Sequence, residues 1–274
     1  MPPKYTKNGS LLRINDVHLS FGSKGILRGV NAEIRDIVRP DMQQGQVVGF
    51  LGPSGIGKTQ LFRIMAGLQD PTLGDVYLSG KDEKVKPGKV GVVFQKYPLF
   101  DNRTVRGNLV ISARQAGLKR TDAKKKAEAM LERFNLLECA DLFPGQLSGG
   151  QAQRTSIAQQ ILCSEHYLLM DEPFSGLDCV SKDKVCDLII EVSKMHEQNT
   201  IIIVSHDIEP LVKTADTLWL MGRDRDAQGE IIPGAHIVET YDLIERDLAW
   251  HPDIEHTPQF AQFVREVKAR FKTL

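Results

Sequence analysis

The run Gly52-Pro53-Ser54-Gly55-Ile56-Gly57-Lys58-Thr59 fits the pattern G-x-x-x-x-G-K-[ST]. Its three glycines let the backbone turn tightly enough to aim successive N–H groups at one point, which suits a phosphate oxyanion. A helical pattern, QLFRIMAGL, starts at Gln60, so a helix N-terminus adds partial positive charge at the same point. In that setting Lys58 reaches the β- and γ-phosphates of a nucleotide, and the Thr59 hydroxyl binds magnesium. A glycine-rich turn ending in a surface lysine is the alternative. The apolar strand pattern before the motif and the helix pattern after it argue against that alternative. The acidic half of such a site stands in LLMDEP at 168–173. There an apolar run delivers Asp171 to a sheet edge, where it can hold the magnesium through its water shell.

These groups work together only if strands and helices bring them to one place. QVVGFLG, VGVVF, YLLMD and TIIIVS are near-continuous apolar runs separated by helical stretches. That arrangement predicts a parallel sheet covered on both faces. Residues 11–35 alternate apolar and polar between glycines, which predicts short antiparallel strands. Residues 104–141 read as helical throughout, with Thr121 or Asp122 as a helix cap and the KR and KKK clusters on a solvated face. RDRDAQGEIIPG, after Gly222, reads as a hairpin with a charged turn. Phe260, Phe263, Val264, Val267 and Phe271 recur at helical spacing, as in a helix that packs an apolar stripe on the core.

The 274 residues suffice for one large domain or two small ones. The 35 basic and 35 acidic residues cancel, so no global field argues for nucleic acid or an anionic membrane. The apolar runs are strand-length and far short of the ~20 residues of a transmembrane helix. MPPKYTKNGS has no apolar centre, so no signal peptide is expected. The four cysteines lack C-x-x-C spacing, which suits free thiols in a reducing, cytosolic compartment.

Three further strings complete a set: Gln95 after VGVVF, LSGGQ at 147–151 and IIIVSH at 201–206. Singly they say little, since a lone glutamine is uninformative and a lone histidine is more often structural. In this fixed order with GPSGIGKT and LLMDEP, the chain resembles the ATP-binding cassette family over roughly residues 10–222. The resemblance implies an α/β P-loop cassette with a mainly parallel core sheet, a small antiparallel β layer and an inserted helical subdomain. The cassette would span 10–240, the helical insert about 97–150, and a short helical extension 241–274, which is too short for a C-terminal regulatory domain.

The same resemblance assigns roles. Gly52, Pro53, Ser54, Gly55, Ile56, Gly57, Lys58, Thr59 and Gln60 hold the ATP phosphates. Gln95 senses the γ-phosphate and joins Thr59 and Asp171 at Mg²⁺. Glu172 is the general base for water, and His206 and Lys58 complete the catalytic set. Ser148, Gly149, Gly150 and Gln151 open a helix whose N-terminus meets the γ-phosphate bound by a second subunit, so ATP closes a dimer. Phe21 occupies the position of an aromatic that stacks on adenine, with a strand-core phenylalanine as the alternative. Two departures stand out. Ala158-Gln159-Gln160 replaces the family's Ala-Arg-Ala, and the segment between Val30 and Gly45 is several residues longer than usual, with a turn expected at Pro40-Asp41.

Three classes of function compete: a transporter ATPase, a soluble ATPase of repair, ribosome or cofactor-assembly work, and a nucleotide-binding module without turnover. The complete set Lys58, Gln95, Asp171, Glu172 and His206 argues against the last. QKYPLFDNRTVRGNL and ECADLFPGQLSGGQ resemble bacterial importers, the wider text being most similar to nitrate/sulfonate/taurine or polar amino acid importers. The resemblance therefore implies a cassette pair, a separate integral membrane permease, a solute-binding protein, no nucleic acid, and a peripheral place on the cytoplasmic face of the plasma membrane.

Overall fold

The computed structural model describes residues 5–39, 44–78, 83–164, 166–251 and 253–274. Its centre is a six-stranded sheet of β3 (Gln46–Leu51), β6 (Gly91–Val93), β7 (Tyr167–Asp171), β8 (Thr200–Ser205), β9 (Thr217–Gly222) and β10 (His236–Asp242). The strand order is β10-β9-β3-β8-β7-β6. All neighbours run parallel except β10, which returns antiparallel to β9. In register, Val48 faces Ile202 and Leu169 faces the same Ile202.

The unbroken apolar strand sequences follow from burial of both faces. Along β3, Val48 and Phe50 enter one core while Val47 and Leu51 enter the other. The first core is closed by an antiparallel sheet of β1 (Thr6–Phe21), β2 (Lys24–Val38), β4 (Leu73–Leu78) and β5 (Glu83–Lys84), together with α1 (Lys58–Met65). Here β1 and β2 are long strands rather than the short ones expected, joined by a tight turn at Gly22 and Ser23.

The second core is covered by α2 (Val105–Gln115), α3 (Arg120–Arg133), α4 (Gly149–Cys163), α5 (Cys179–Ser193), α6 (Ile208–Thr214) and α7 (Pro258–Phe271). The stretch 104–141 is not helical throughout. Gly117 at φ 88° ends the first helix, and Asn135 at φ 51° breaks the chain again after the second. The cap also differs from expectation: Thr104 accepts from Gly107 N and caps α2, whereas Thr121 and Asp122 lie inside the first turn of α3 behind Lys119. The three consecutive lysines, Lys124 to Lys126, are exposed as expected.

Past β9 the chain forms the expected hairpin, with Asp226 N bonded to Glu230 O and a bridge between Arg225 and Ile231. Helix α7 is capped by Thr257, whose hydroxyl accepts from Phe260 N, and buries Phe260, Phe263, Val264 and Val267. Of the long connection after Val30, β2 absorbs most, and the turn expected at Pro40-Asp41 lies outside the described residues. Among the described residues, no helix is long and apolar enough to cross a membrane.

Candidate functional site

Strand β3 ends at Leu51 and α1 begins at Lys58, so the glycine-rich run is the loop between a buried strand and a helix N-terminus. Gly57 adopts φ 115°, and a Cβ there would lie 3.1 Å from the Leu27 side chain. Both facts demand glycine. Leu27 and Ile26 belong to β2, so the loop rests on the β1–β2 hairpin whose tip carries Phe21, 55% exposed. A strand-core role for Phe21 does not fit that exposure. Ile56 turns its side chain into the first core, so what it offers the loop's concave side is main chain.

Lys58 is 7% exposed, and its ammonium donates to Gly52 O at 2.7 Å and Pro53 O at 3.1 Å. Glu172 Oε1 stands 3.9 Å from it. Burial lowers the Lys58 pKa, with the charges of Glu172 and Asp171 working the other way. The Asp171 carboxyl is held above the usual carboxylate range by burial and by Glu172, against the pull of Lys58 and Arg63. Its Oδ1 is buried without a hydrogen-bond partner among the described residues, an uncommon state for a native polar atom. With the exposed Thr59 hydroxyl on the first turn of α1, it forms a hard oxygen donor set that fits a phosphate-bound divalent cation. Gln60 also carries a buried Oε1 that has no partner among the described residues.

Glu172 directly follows β7 in a left-handed conformation, φ 51°, a strained choice for a residue with a side chain. Its amide still donates to Val204 O at 2.8 Å, so the turn swings the side chain off the strand while keeping the ladder. Its Oε2 lies 2.9 Å from His206 Nδ1 and accepts from Ser205 Oγ at 3.1 Å. Nδ1 is the donor in that contact, so Nε2 is the ring nitrogen not engaged by Glu172. The strained turn and the end of β8 therefore hold one carboxylate, one imidazole and one ammonium together. Such a group can orient water and take a proton from it beside a bound phosphate.

Gln95 lies on the exposed segment after β6 and donates from Nε2 to Ser175 Oγ at 3.1 Å, tying it to the loop that follows Glu172. The LSGGQ residues are placed differently. Ser148 caps α4, its hydroxyl accepting from Gln151 N, while Gln151 Oε1 accepts from Ser148 N. Gly149 and Gly150 are exposed on the first turn. Ser148 and Gly150 line a cleft with Arg154, Leu177, Ser181 and Lys184, which contains no residue of the 52–59 loop. Within one chain the N-terminus of α4 and the 52–59 loop do not share that cleft.

Sequence reasoning missed several polar ties. Ser205 stands in the quoted IIIVSH and alternates to the side of Glu172, a signal that was available. Gln153 Nε2 donates to Pro173 O, and Gln160 Oε1 accepts from Val92 N at 3.0 Å, so the second of the two unusual glutamines anchors the β6 edge. Gln159, where the family's arginine would stand, is 5% exposed and leaves Oε1 unpartnered among the described residues.

A family model described as "ABC transporter" matches residues 36–175. A sulfate/thiosulfate import ATP-binding protein, CysA, of Synechococcus elongatus is 33% identical over 222 residues, covering 79% of this chain and 61% of that protein. A maltose/maltodextrin import ATP-binding protein, MalK, of Photorhabdus laumondii is 33% identical, covering 77% and 56%. A methionine import ATP-binding protein, MetN 2, of Lactiplantibacillus plantarum is 32% identical, covering 84% and 67%. Among solved structures, cbiO1 from Clostridium perfringens, described as part of the ABC transporter complex cbiONQ, superposes with a TM-score of 0.71 at 21% identity. That match covers 95% of this chain and all of the other. The chain has the α/β cassette fold and belongs to the ABC transporter family. It spans 61% of the length of the first of these curated relatives.

Proposed function

We propose that this chain binds ATP with Mg²⁺ and hydrolyses it as one of a closing pair of cassettes, driving solute uptake through a separate membrane permease. The observation that carries the reading is the Glu172 carboxylate, fixed 2.9 Å from His206 and 3.9 Å from Lys58 next to Asp171, whose Oδ1 has no partner among the described residues. A plain binding module has no use for a strained turn that aims a carboxylate at a phosphate loop. Glu172 and His206 would manage the attacking water, and Lys58 would meet the phosphates. Thr59, Asp171 and Gln95 would hold the magnesium, whose charge offsets that developing on the phosphates.

In this reading Phe21 stacks on adenine, and Gly52 to Gln60 cradle the phosphates. Ser148, Gly149, Gly150 and Gln151 act on the nucleotide of a second subunit. Within one chain their cleft does not include the 52–59 loop, which supports a site completed in trans. Residues 10–240 would form the cassette, with about 97–150 as its helical subdomain and 241–274 as an extension.

The three curated relatives, all import ATP-binding proteins, support the importer reading. A permease would dock near Gln95, Pro98, Leu99 and Phe100, where Phe100 is 46% exposed next to a phosphate sensor. A solute-binding protein would deliver the cargo, and the ATPase would sit peripherally on the cytoplasmic face of the membrane. Cysteine placed at Leu99 should crosslink to an integral membrane protein in the native complex. A native complex with only soluble partners would favour repair or assembly work instead.

A further inference from the structure

Helix α6 begins two residues after His206 and is only seven residues long. Leu211 and Val212 are fully buried and set its depth against the sheet. Ile208 packs half-buried beside them and Thr214 is 7% exposed, but a helix of fewer than two turns also depends on polar ties at its ends. At the first end, Lys182 of α5 lies 3.0 Å from Asp207, and Lys268 of α7 lies 2.6 Å from Glu209. At the far end, Lys213 is 15% exposed and bridges Asp183 of α5, at 3.1 Å, and Glu255 in the turn before α7.

That second tie stands between two open spaces. One cleft, of about 380 Å³, is lined by His206, Asp207 and Phe260, and another, of about 680 Å³, by Gln44, Trp250 and His251. Asp183, Lys213 and Glu255 line both, so the bridge is the partition between them. Where apolar contact is replaced by open space, the charged bridge carries the positional information. Lys268–Glu209 is exposed on both sides and contributes little, whereas the Lys213 side chain is only 15% exposed and meets two carboxylates at once, Asp183 and Glu255, themselves 58% and 38% exposed.

We propose that Lys213 is a positioning residue for His206: by fixing α6 to α5 and to the C-terminal extension, it holds the imidazole against Glu172. The inference rests on the reading of His206 as part of the hydrolytic group. It gives the 241–274 extension a task in the site, through Glu255.

The test uses the full chain with isotope-labelled histidine, the His206 resonances being assigned by their loss in His206→Gln. Lys213→Met should shift or broaden those resonances and lower kcat for ATP by about 10- to 100-fold, as for a catalytic group displaced by a fraction of an ångström. KM for ATP should stay within about twofold, because the phosphate loop is untouched. Lys213→Arg, whose fork can also span two carboxylates, should recover most of the rate. Glu255→Gln should shift the same resonances, and it carries the test if Lys213→Met does not fold. A wild-type His206 spectrum and kcat in both Lys213→Met and Glu255→Gln, with His206→Gln inactive, overturns this inference alone. Wild-type hydrolysis by His206→Gln overturns both it and the reading it rests on.

Discussion

Trp250 lays its ring over the guanidinium of Arg39, whose central carbon stands 4.0 Å from the ring centroid. The indole N–H donates to Asp216 Oδ1, and Arg39 Nη2 lies 3.2 Å from the same oxygen. Asp216 Oδ2 accepts from Val47 N at 2.7 Å, and Arg39 Nη1 donates to Gln44 O and Gly45 O, both at 2.8 Å. One buried carboxylate thus joins the end of β2, the start of the strand that feeds the phosphate loop, the end of α6 and the C-terminal extension. Removing one member of a buried ion pair leaves the other uncompensated, at a cost of about 3–5 kcal/mol. Asp216→Ala should lower the unfolding free energy by that amount in urea titration. Trp250→Phe, which keeps a ring over Arg39 and loses one hydrogen bond, should cost only about 1–2 kcal/mol. Equal losses for the two variants would show that the carboxylate is not the hub.

Lys58 separates function from stability. Burial already lowers its pKa, so the folded state gains little from its charge. Lys58→Ala should leave circular dichroism and thermal midpoint at or above wild type, while turnover falls ~10²-fold or more through loss of a transition-state contact. Turnover near the wild-type rate would remove Lys58 from the phosphate site.

The strands and the chemical groups were legible in the sequence because each rests on a local rule. A two-sided apolar run is a buried parallel strand, and glycine spacing before a lysine is a phosphate loop. What the sequence hid were contacts between distant segments. Nothing near Trp250 announces Arg39, and the Glu172–Ser205 bond depends on the register of β7 beside β8. The break at Gly117 is not legible because an isolated glycine inside a helical pattern can be tolerated as well as end the helix. The sequence offers Thr121 and Asp122 as caps, whereas α3 starts at Arg120 behind Lys119, which makes no side-chain cap bond.

Gln159 offers a gain of stability. Its buried Oε1 has no partner among the described residues, and an unmet buried polar atom costs about 1–3 kcal/mol. Gln159→Met has similar volume and no such atom, so it should raise the urea midpoint with an unchanged slope. A lower midpoint would reveal a partner that the amide needs.

Thiol labelling tests the packing of α5. Cys179 is exposed at its first residue, while Cys186, two turns on, is buried and its pKa is pushed up to about 12 by that burial. At pH 8 the Cys186 thiolate fraction is then on the order of 10⁻⁴, and thiolate is the reacting form. Cys179 should react with a maleimide within minutes in the native protein, and Cys186 only after denaturation. Equal rates would mean that α5 does not pack as described.

Glu172→Gln separates ATP binding from hydrolysis. The substitution keeps the size of the side chain and removes its ability to accept a proton, so hydrolysis should fall by the ~10²–10⁴-fold typical of a lost general base. Binding should persist, because Glu172 lies 3.9 Å from the Lys58 ammonium rather than in the glycine-rich loop, and a neutral amide there removes a negative charge that would face the phosphates. With hydrolysis stopped, the proposed site predicts that ATP should stay between Lys58 of one subunit and the exposed N-terminal turn of α4 on the other. Light scattering of the variant with ATP and Mg²⁺ should report a dimer that outlasts nucleotide washout. The wild type should return to a monomer or weak dimer as ATP is consumed. A variant that remains monomeric at saturating ATP, or that hydrolyses it at the wild-type rate, would take Glu172 out of the mechanism and leave its contact with His206 a structural one.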